Sequence, residues 1–281
     1  MTIEEAINNT ADRLREAGVT NEQREASSLV RIAIDQPAAF LIAHPEYALT
    51  EAETGRLADL ANRRAQRIPF QHLTRRQEFY GLEFEVSPDV LIPRPETQIL
   101  VEKAIELLSE VERPSFLELG VGSGCISISI LHEVLHASAV GVDRSPLALA
   151  VARSNADRHS VAERIEFIEG DLFDKVEGEY DMIVSNPPYI PDGDIATLQA
   201  EVRDFEPLLA LAGGSDGLDV IRRIINEGQA YLKPGGWLLM EIGYGQSRAV
   251  GDELKKAGWT DVSFLNDLQR IPRIAVARRG F

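Results

Sequence analysis

The order of short apolar runs after Ser115 constrains this chain more than any other feature. Phe116-Leu117-Glu118-Leu119 precedes a helical stretch from Ile126 to Val134, and Ala139-Val140-Gly141-Val142 precedes another from Pro146 to Arg158. Further strand-like runs follow at Ile165 to Ile168, Met182-Ile183-Val184 and Trp237 to Ile242. Such alternation predicts an α/β fold, a Rossmann-like parallel sheet with helices on both faces. Two late runs, around Val262-Phe264 and Ile274-Val276, lie close together and predict an antiparallel hairpin at the sheet's edge.

Open sheets of this kind bind ligands at the carboxyl ends of their strands, and the residues that carry chemistry gather there. Glu118-Leu119-Gly120-Val121-Gly122-Ser123-Gly124 leaves the first strand as a glycine turn that permits close backbone approach. It departs from the dinucleotide fingerprint, because Cys125 stands where the third glycine would be and Gly124 comes one residue earlier. S-adenosylmethionine has no pyrophosphate and needs a backbone platform more than a phosphate cradle, so it is expected ahead of NAD. Asp143 ends the next strand, about twenty residues on, where an acid accepts hydrogen bonds from both ribose hydroxyls. Asp171, after the third strand, is placed to accept from an adenine amino group, with Leu172 against the ring. The candidate cofactor residues are therefore Glu118, Gly120, Val121, Gly122, Ser123, Gly124, Asp143, Asp171 and Leu172, joined by Asn186.

Asn186-Pro187-Pro188-Tyr189 follows the fourth strand directly, so it emerges at the same edge. Neither proline has a backbone N–H, which leaves a loop rich in acceptors and poor in donors. The Asn186 side-chain oxygen and the Pro187 carbonyl can together accept both hydrogens of one amino group. An amide or nucleobase amino group is a weak nucleophile because its lone pair is delocalised. Two acceptors orient that nitrogen toward a sulfonium methyl and stabilise the positive charge that develops on it. Tyr189 is expected against the face of the planar acceptor. Asn186, Pro187 and Tyr189 are the candidate catalytic residues, and all four residues the candidate substrate site. The plain alternative is an Asn-Pro turn that merely ends a strand.

The segments before the sheet read differently. Residues 1–72 are expected to form a small helical domain that recruits or orients a partner. Thr2 and Glu5 have capping-box spacing for a first helix ending at Gly18, Thr20 or Asn21 starts a second, Phe40-Leu41-Ile42 marks a short third, and Thr50 opens another. Residues 73–92 suggest a β-hairpin linker turning at Gly81, and 93–281 the catalytic domain, which opens on a helix from about Glu96 to Leu108. A net charge of −16 argues against a protein that grips nucleic acid through its phosphates. The single cysteine, Cys125, fits a reducing compartment, and the polar start of the chain does not resemble a secretory signal. A cytoplasmic globular protein with a packed core and no membrane span is the expectation.

At this point the chain resembles the HemK/PrmC family, methyltransferases of the glutamine in the Gly-Gly-Gln loop of peptide chain release factors. The resemblance is carried by Gln71-His72-Leu73-Thr74, Glu78-Phe79-Tyr80-Gly81, Leu91-Ile92-Pro93-Arg94-Pro95-Glu96-Thr97, the glycine turn, Asn186 to Tyr189, and Phe205-Glu206-Pro207. It implies cofactor contacts at Gly120 to Gly124, Asp143, Leu172 and Asn186, with glutamine held by Asn186 to Tyr189. Class I release factors are the implied partner, S-adenosylhomocysteine the implied product, and a monomer the expected state. Arg75, and the run Asp267 to Arg273, lack glycines that the family usually carries there.

Three other patterns point elsewhere. His132-Glu133-Val134-Leu135-His136 matches a zinc-protease spacing on one helical face, but no third ligand follows and no metal is expected. Gly213 to Gly217 lacks the lysine of a phosphate loop and reads as a turn leading into a helix. Arg203-Asp204-Phe205-Glu206 reads as a solvated turn, or on family grounds as a wall near the acceptor. Two competing functions remain at this level: methylation of a nucleobase amino group in DNA or RNA, and a binding module that keeps the fold without catalysis.

Overall fold

The computed structural model describes residues 1–281 and divides them into two compact units: Met1–Arg75 with Gln199–Phe205, and Arg76–Leu198 with Glu206–Phe281. The smaller unit contains α1 (Ile3–Glu16), α2 (Glu22–Ile34), α3 (Ala38–Ala43), α4 (Glu51–Ala65) and α5 (Phe70–Thr74). Its helix starts follow the expected caps: Thr2 with Glu5, and Thr50 with Glu53, form reciprocal capping boxes. The single-turn α5 has no cap signal in the sequence. Ile3, Leu14, Leu29 and Val30 are fully buried between these helices. Arg64, itself buried, pairs with Glu25 and with Glu201, and Arg67 pairs with the same Glu201. The segment around Glu201 is thus held within the helical unit by charge-assisted bonds. No sequence pattern announces that return, because a lone glutamate in an amphipathic stretch looks like a solvated one.

The larger unit opens on a hairpin, β1 (Arg76–Phe79) and β2 (Leu82–Glu85), paired antiparallel from Arg76↔Glu85 to Phe79↔Leu82. Tyr80 and Gly81 both have positive φ, as a two-residue turn matching strand twist requires. Phe79 and Phe84 are buried and meet edge to face. A 3-10 turn, Pro95–Thr97, precedes α6 (Gln98–Leu108), so the helix expected from Glu96 begins with a tighter turn at Pro95. Then follow β3 (Ser115–Leu119), α7 (Cys125–Glu133), β4 (Ser138–Asp143), α8 (Pro146–Arg158), β5 (Ile165–Glu169) and β6 (Tyr180–Ser185). After α9 (Ala200–Phe205), part of the helical unit, come α10 (Asp219–Glu227), β7 (Leu232–Glu241), α11 (Ser247–Lys256), β8 (Thr260–Asn266) and β9 (Pro272–Arg278).

The seven-stranded sheet has the order β5-β4-β3-β6-β7-β9-β8. Strands β3 to β7 are parallel; β9 runs antiparallel to β7, and β8 antiparallel to β9. Both faces are covered. Leu100, Val101 and Ala104 of α6 and Ile128 and Ile130 of α7 bury one face, while Ile221 and Ile224 of α10 and Val250 and Leu254 of α11 bury the other. Strand order reverses between β3 and β6, which opens a crevice at their carboxyl ends. No helix of the chain is long and apolar enough to cross a membrane.

Arg75 and Arg270 both occupy left-handed backbone (φ 57° and 65°). These are the two regions where the sequence departs from the family's glycines, and the backbone conformation is the one glycine adopts most readily. A residue with a side chain in that conformation costs about 1 kcal/mol at each site. Around Arg270 the Asp267 carboxylate accepts from the backbone of Gln269 and Ile271 and pairs with Arg273, which holds the loop.

One buried polar side chain ties the hairpin to the glycine turn. Asn155 of α8 accepts from Glu85 N (2.7 Å) and donates to the carbonyls of Glu85 (3.0 Å) and Ser123 (2.9 Å). Every polar atom of the amide is used. Asn155→Ala leaves those backbone groups unpaired and is expected to lower the free energy of unfolding by about 2–4 kcal/mol. Denaturant titration checks this; an unchanged midpoint would show that water replaces the amide without loss.

Candidate active site

Residue pairing sets the geometry of the crevice. Leu119 of β3 stands beside Ser185 of β6, and the Ser185 hydroxyl donates to the Leu119 carbonyl at 2.7 Å. Gly120 and Asn186, the next residue on each strand, therefore leave the sheet side by side. The loops they begin line one cavity of about 310 Å³. Glu118, Gly120, Val121, Gly122, Ser123, Asp143, Asp171, Leu172, Asn186 and Pro188 all lie on its wall.

Each part of the wall formed after β3, β4 and β5 has a local cause. Gly120 and Gly122 take positive φ (75° and 56°), and a Cβ on either would meet open space, so the backbone there is bare to the cavity. Asp143 pins the turn, since its Oδ2 accepts from Gly122 N (2.8 Å) and its Oδ1 from Ser145 N (2.9 Å). Ser145 in turn caps α8 through Ala148 N. Gly124 has a different task from its neighbours. It does not line the cavity, and a Cβ there would fall 2.8 Å from Ile128 Cδ1 and 3.3 Å from Ala152 Cβ, so it permits α7 and α8 to approach. Asp171 is engaged by Arg223 (2.9 Å), with Arg144 at 3.9 Å, and both arginines lie on the cavity wall.

Glu118 is the least satisfied group in the site. It is fully buried, and its Oε2 accepts from Ser127 through both backbone N–H and hydroxyl. Its Oε1 has no partner. Burial pushes this carboxyl up to about 8, against the pull of the Ser127 bonds. An orphaned carboxyl oxygen at a cavity wall suits a cationic ligand group such as an α-ammonium, which would favour the ionised form.

Another part of the wall is built from the loop after β6 and from the Ile92–Thr97 run. Asn186 Nδ2 donates to Thr97 Oγ1 (3.2 Å), and Thr97 Oγ1 donates to Glu241 Oε2 (2.6 Å). Pro187 is buried. The Tyr189 side chain packs among the residues buried beneath α10 and α11, and its hydroxyl donates to Glu241 Oε1 (3.2 Å). It is not on the cavity wall, so in this arrangement it braces the loop and does not present its ring to the cavity. Burial beside the Glu241 carboxylate raises the Tyr189 phenol well above its ordinary range, so it stays protonated and a donor.

Several residues of the site carried little or no signal in the sequence. Glu241 ends an apolar strand as Asp143 does, which is the only hint of its place. Thr97 and Arg94 lie in the Ile92–Thr97 run, whose contribution to the site is visible only in space. Arg94 Nη2 reaches both oxygens of Glu206 at 2.7 Å, and the Glu206 side chain is almost fully buried. The solvated-turn reading of Arg203 to Glu206 therefore holds for the exposed Arg203–Asp204 pair but not for Glu206. Burial pushes the Glu206 carboxyl up and the Arg94 charge opposes it.

The histidine pattern separates in space. Helix α7 ends at Glu133, so His136 lies beyond it and shares no helical face with His132; both are exposed. Cys125 begins α7 on the cavity wall, with its thiol pushed up by burial and so held neutral. Gly213 to Gly217 leads into α10 as expected, and it also supports the acceptor loop. A Cβ on Gly213 would fall 2.7 Å from the Pro188 carbonyl oxygen, and one on Gly217 2.2 Å from that of Tyr189.

Residues 5–74 match the PrmC N-terminal domain, and residues 96–203 the methyltransferase small domain. Over 280 residues the chain is 40% identical to a release factor glutamine methyltransferase of Geobacter sulfurreducens, covering 99% of this chain and 97% of that one. It is 39% identical over 281 residues to one from Koribacter versatilis, covering 99% of each. The chain belongs to the release factor glutamine methyltransferase family. Solved structures agree on the fold. A methyltransferase from Pyrococcus furiosus superposes with a TM-score of 0.55 at 18% identity, covering 79% of this chain and 100% of that one. The hMettl16 catalytic domain, in complex with a MAT2A 3′UTR hairpin, gives 0.59 at 18% identity over 79% and 82%. As a member of this family the chain is a methyltransferase.

Two outcomes test the site. The folded chain keeps the Glu118 proton to about pH 8, whereas the unfolded chain releases it near 4.5, so stability falls as pH rises across that window. Thermal melts of ligand-free wild type and Glu118→Gln should diverge between those pH values by up to about 5 kcal/mol, the wild type losing more. Parallel pH curves would show that Glu118 titrates normally. Gly217→Ala combines a φ of 76° with a clash on the Tyr189 carbonyl, and should lower methyl transfer while cofactor affinity is retained. Unaltered turnover would mean the acceptor loop does not depend on that brace.

Proposed function

We propose that the protein transfers a methyl group from S-adenosylmethionine to the side-chain amide nitrogen, N5, of the glutamine in the Gly-Gly-Gln loop of class I release factors. When bound, the cofactor supplies an electrophilic sulfonium methyl and leaves as S-adenosylhomocysteine. The observation that carries the reading is the orientation of Asn186. Its Nδ2 is committed to Thr97, which leaves Oδ1 as an acceptor beside the cofactor cavity.

The chain's residues then divide the work. With the cofactor bound, Asp143 would accept from the ribose and Glu118 Oε1 would take the ammonium of the amino-acid end, while Leu172 would pack on the adenine and Asp171 would meet its amino group; all four line the cavity. Asn186 Oδ1 and the Pro187 carbonyl accept the two hydrogens of the glutamine amide. They hold its nitrogen in line and stabilise positive charge as the new bond forms. No base is needed before attack, because the proton leaves after the nitrogen has become cationic. Residues 1–72 recruit the release factor, and residues 73–92 join them to the catalytic residues 93–281. The protein works as a monomer in the cytoplasm, where translation terminates.

Methylation of a nucleobase amino group uses the same acceptor chemistry, but near-full-length similarity to release factor enzymes and a net charge of −16 both favour the protein substrate. A labelled methyl donor offered with unmodified release factor, with a factor whose loop glutamine is changed, and with nucleic acid separates the readings. Label is expected on the unchanged factor alone. Asn186→Ala should lower turnover by about 100-fold or more, the scale seen when one group that stabilises transition-state charge is removed. Label on nucleic acid alone would overturn the substrate assignment.

A further inference from the structure

We infer that Glu241 determines which end of the Asn186 amide faces the cavity, acting through Thr97, and so makes the site an acceptor of amino hydrogens. The inference deepens the proposed reaction and rests on it.

The argument is one of hydrogen-bond polarity. An amide presents a carbonyl oxygen at one end and an NH₂ at the other, of nearly equal size, so packing alone does not choose between them. The choice needs a neighbour that can only accept or only donate. Thr97 alone is no such neighbour, because a hydroxyl does both. It has one hydrogen, however, and that hydrogen is spent on Glu241 Oε2 at 2.6 Å. With its hydrogen spent, Thr97 Oγ1 has only lone pairs left for Asn186. It therefore takes the Nδ2 end, at 3.2 Å, and Oδ1 is turned to the cavity.

Glu241 is suited to impose this order. It is buried, and its other oxygen accepts from the Tyr189 hydroxyl. The two donors come from two segments that meet at the cavity: Thr97 from the turn before α6 and Tyr189 from the loop after β6. Gln246 Nε2 holds the same loop by donating to the Tyr189 carbonyl at 2.9 Å. Burial raises the Glu241 carboxyl, with Glu96 adding to the rise and Arg273 opposing it. Ionised, the carboxylate can only accept, and that is the state that imposes the order. Glutamine at 241 differs. Its NH₂ can donate to Thr97, which frees the Thr97 hydrogen for Asn186 Oδ1. The Asn186 amide then turns over and points NH₂ at an incoming NH₂.

Glu241 and Thr97 are thus positioning residues, and kinetics can separate that role from a merely structural one. Steady-state methylation of a release factor is compared for wild type, Thr97→Val, Thr97→Ser, Glu241→Gln and the Thr97→Val/Glu241→Gln pair, with folding followed by thermal melts and cofactor binding by calorimetry. Thr97→Val and Glu241→Gln are expected to lower kcat by about 100-fold, with KM for the factor and cofactor affinity little changed. The pair should be no worse than either single change, as for groups that act as one unit. Thr97→Ser, which keeps the hydroxyl, should recover most of the turnover lost in Thr97→Val. If Glu241→Gln fails to fold, the valine and serine variants decide alone. Retained kcat in Thr97→Val, loss confined to KM, additive losses in the pair, or no recovery by serine would each overturn the inference. Wild type that labels a different amino acceptor would overturn the substrate reading instead, and the same variants would then be read on that acceptor.

Discussion

The parallel pairing of β3 with β6 is the constraint on which the rest of the site depends. Strand order reverses there, so no crossover helix covers the crevice above the two carboxyl ends. Register then does the finer work. With Leu119 beside Ser185, the bare glycine backbone and the acceptor loop begin at the same height, and the Ser185 hydroxyl fastens the two strands at that level. A shift of one residue would turn Asn186 to the opposite face of the sheet. The apolar faces of both strands, buried on either side by helices, resist such a shift.

Around that pairing the protein buries three carboxylates, each compensated differently. Glu206 has a guanidinium, Arg94, on both oxygens. Glu241 has two hydroxyls, one from the turn before α6 and one from the loop after β6. Glu118 has Ser127 on one oxygen and nothing on the other. An apolar residue at any of these positions would avoid the cost of burying a polar or charged group. Compensation is complete where the acid meets a guanidinium or two hydroxyls, whereas at Glu118, on the cavity wall, one oxygen is left open.

Much of the fold was legible in the sequence because its signals are local. Capping boxes at Thr2 and Thr50, the turn at Gly81, and the alternation of apolar strands with amphipathic helices depend on neighbours within a few residues. The residues of the cavity wall at the strand ends were legible for a related reason: in an open parallel sheet, the end of each strand is a known place. Glycines were harder to sort. Gly120, Gly122 and Gly124 share a motif and positive φ, yet two bare the backbone to the cavity and the third makes room between helices. Only the partner atoms distinguish these tasks.

The sequence by itself determined the order of elements, the edge of the sheet at which chemistry gathers, and the acceptor character of Asn186-Pro187-Pro188-Tyr189. Those follow from residue types and short-range spacing. Tertiary structure decided which groups those residues answer to. Tyr189 turns to Glu241 and not to the cavity, Glu206 leaves solvent for Arg94, and Thr97 meets Asn186 across 89 positions of chain. The reason is physical: a hydrogen-bond partner distant in sequence leaves no periodicity behind, and a buried acid reads the same as a solvated one until its surroundings close over it.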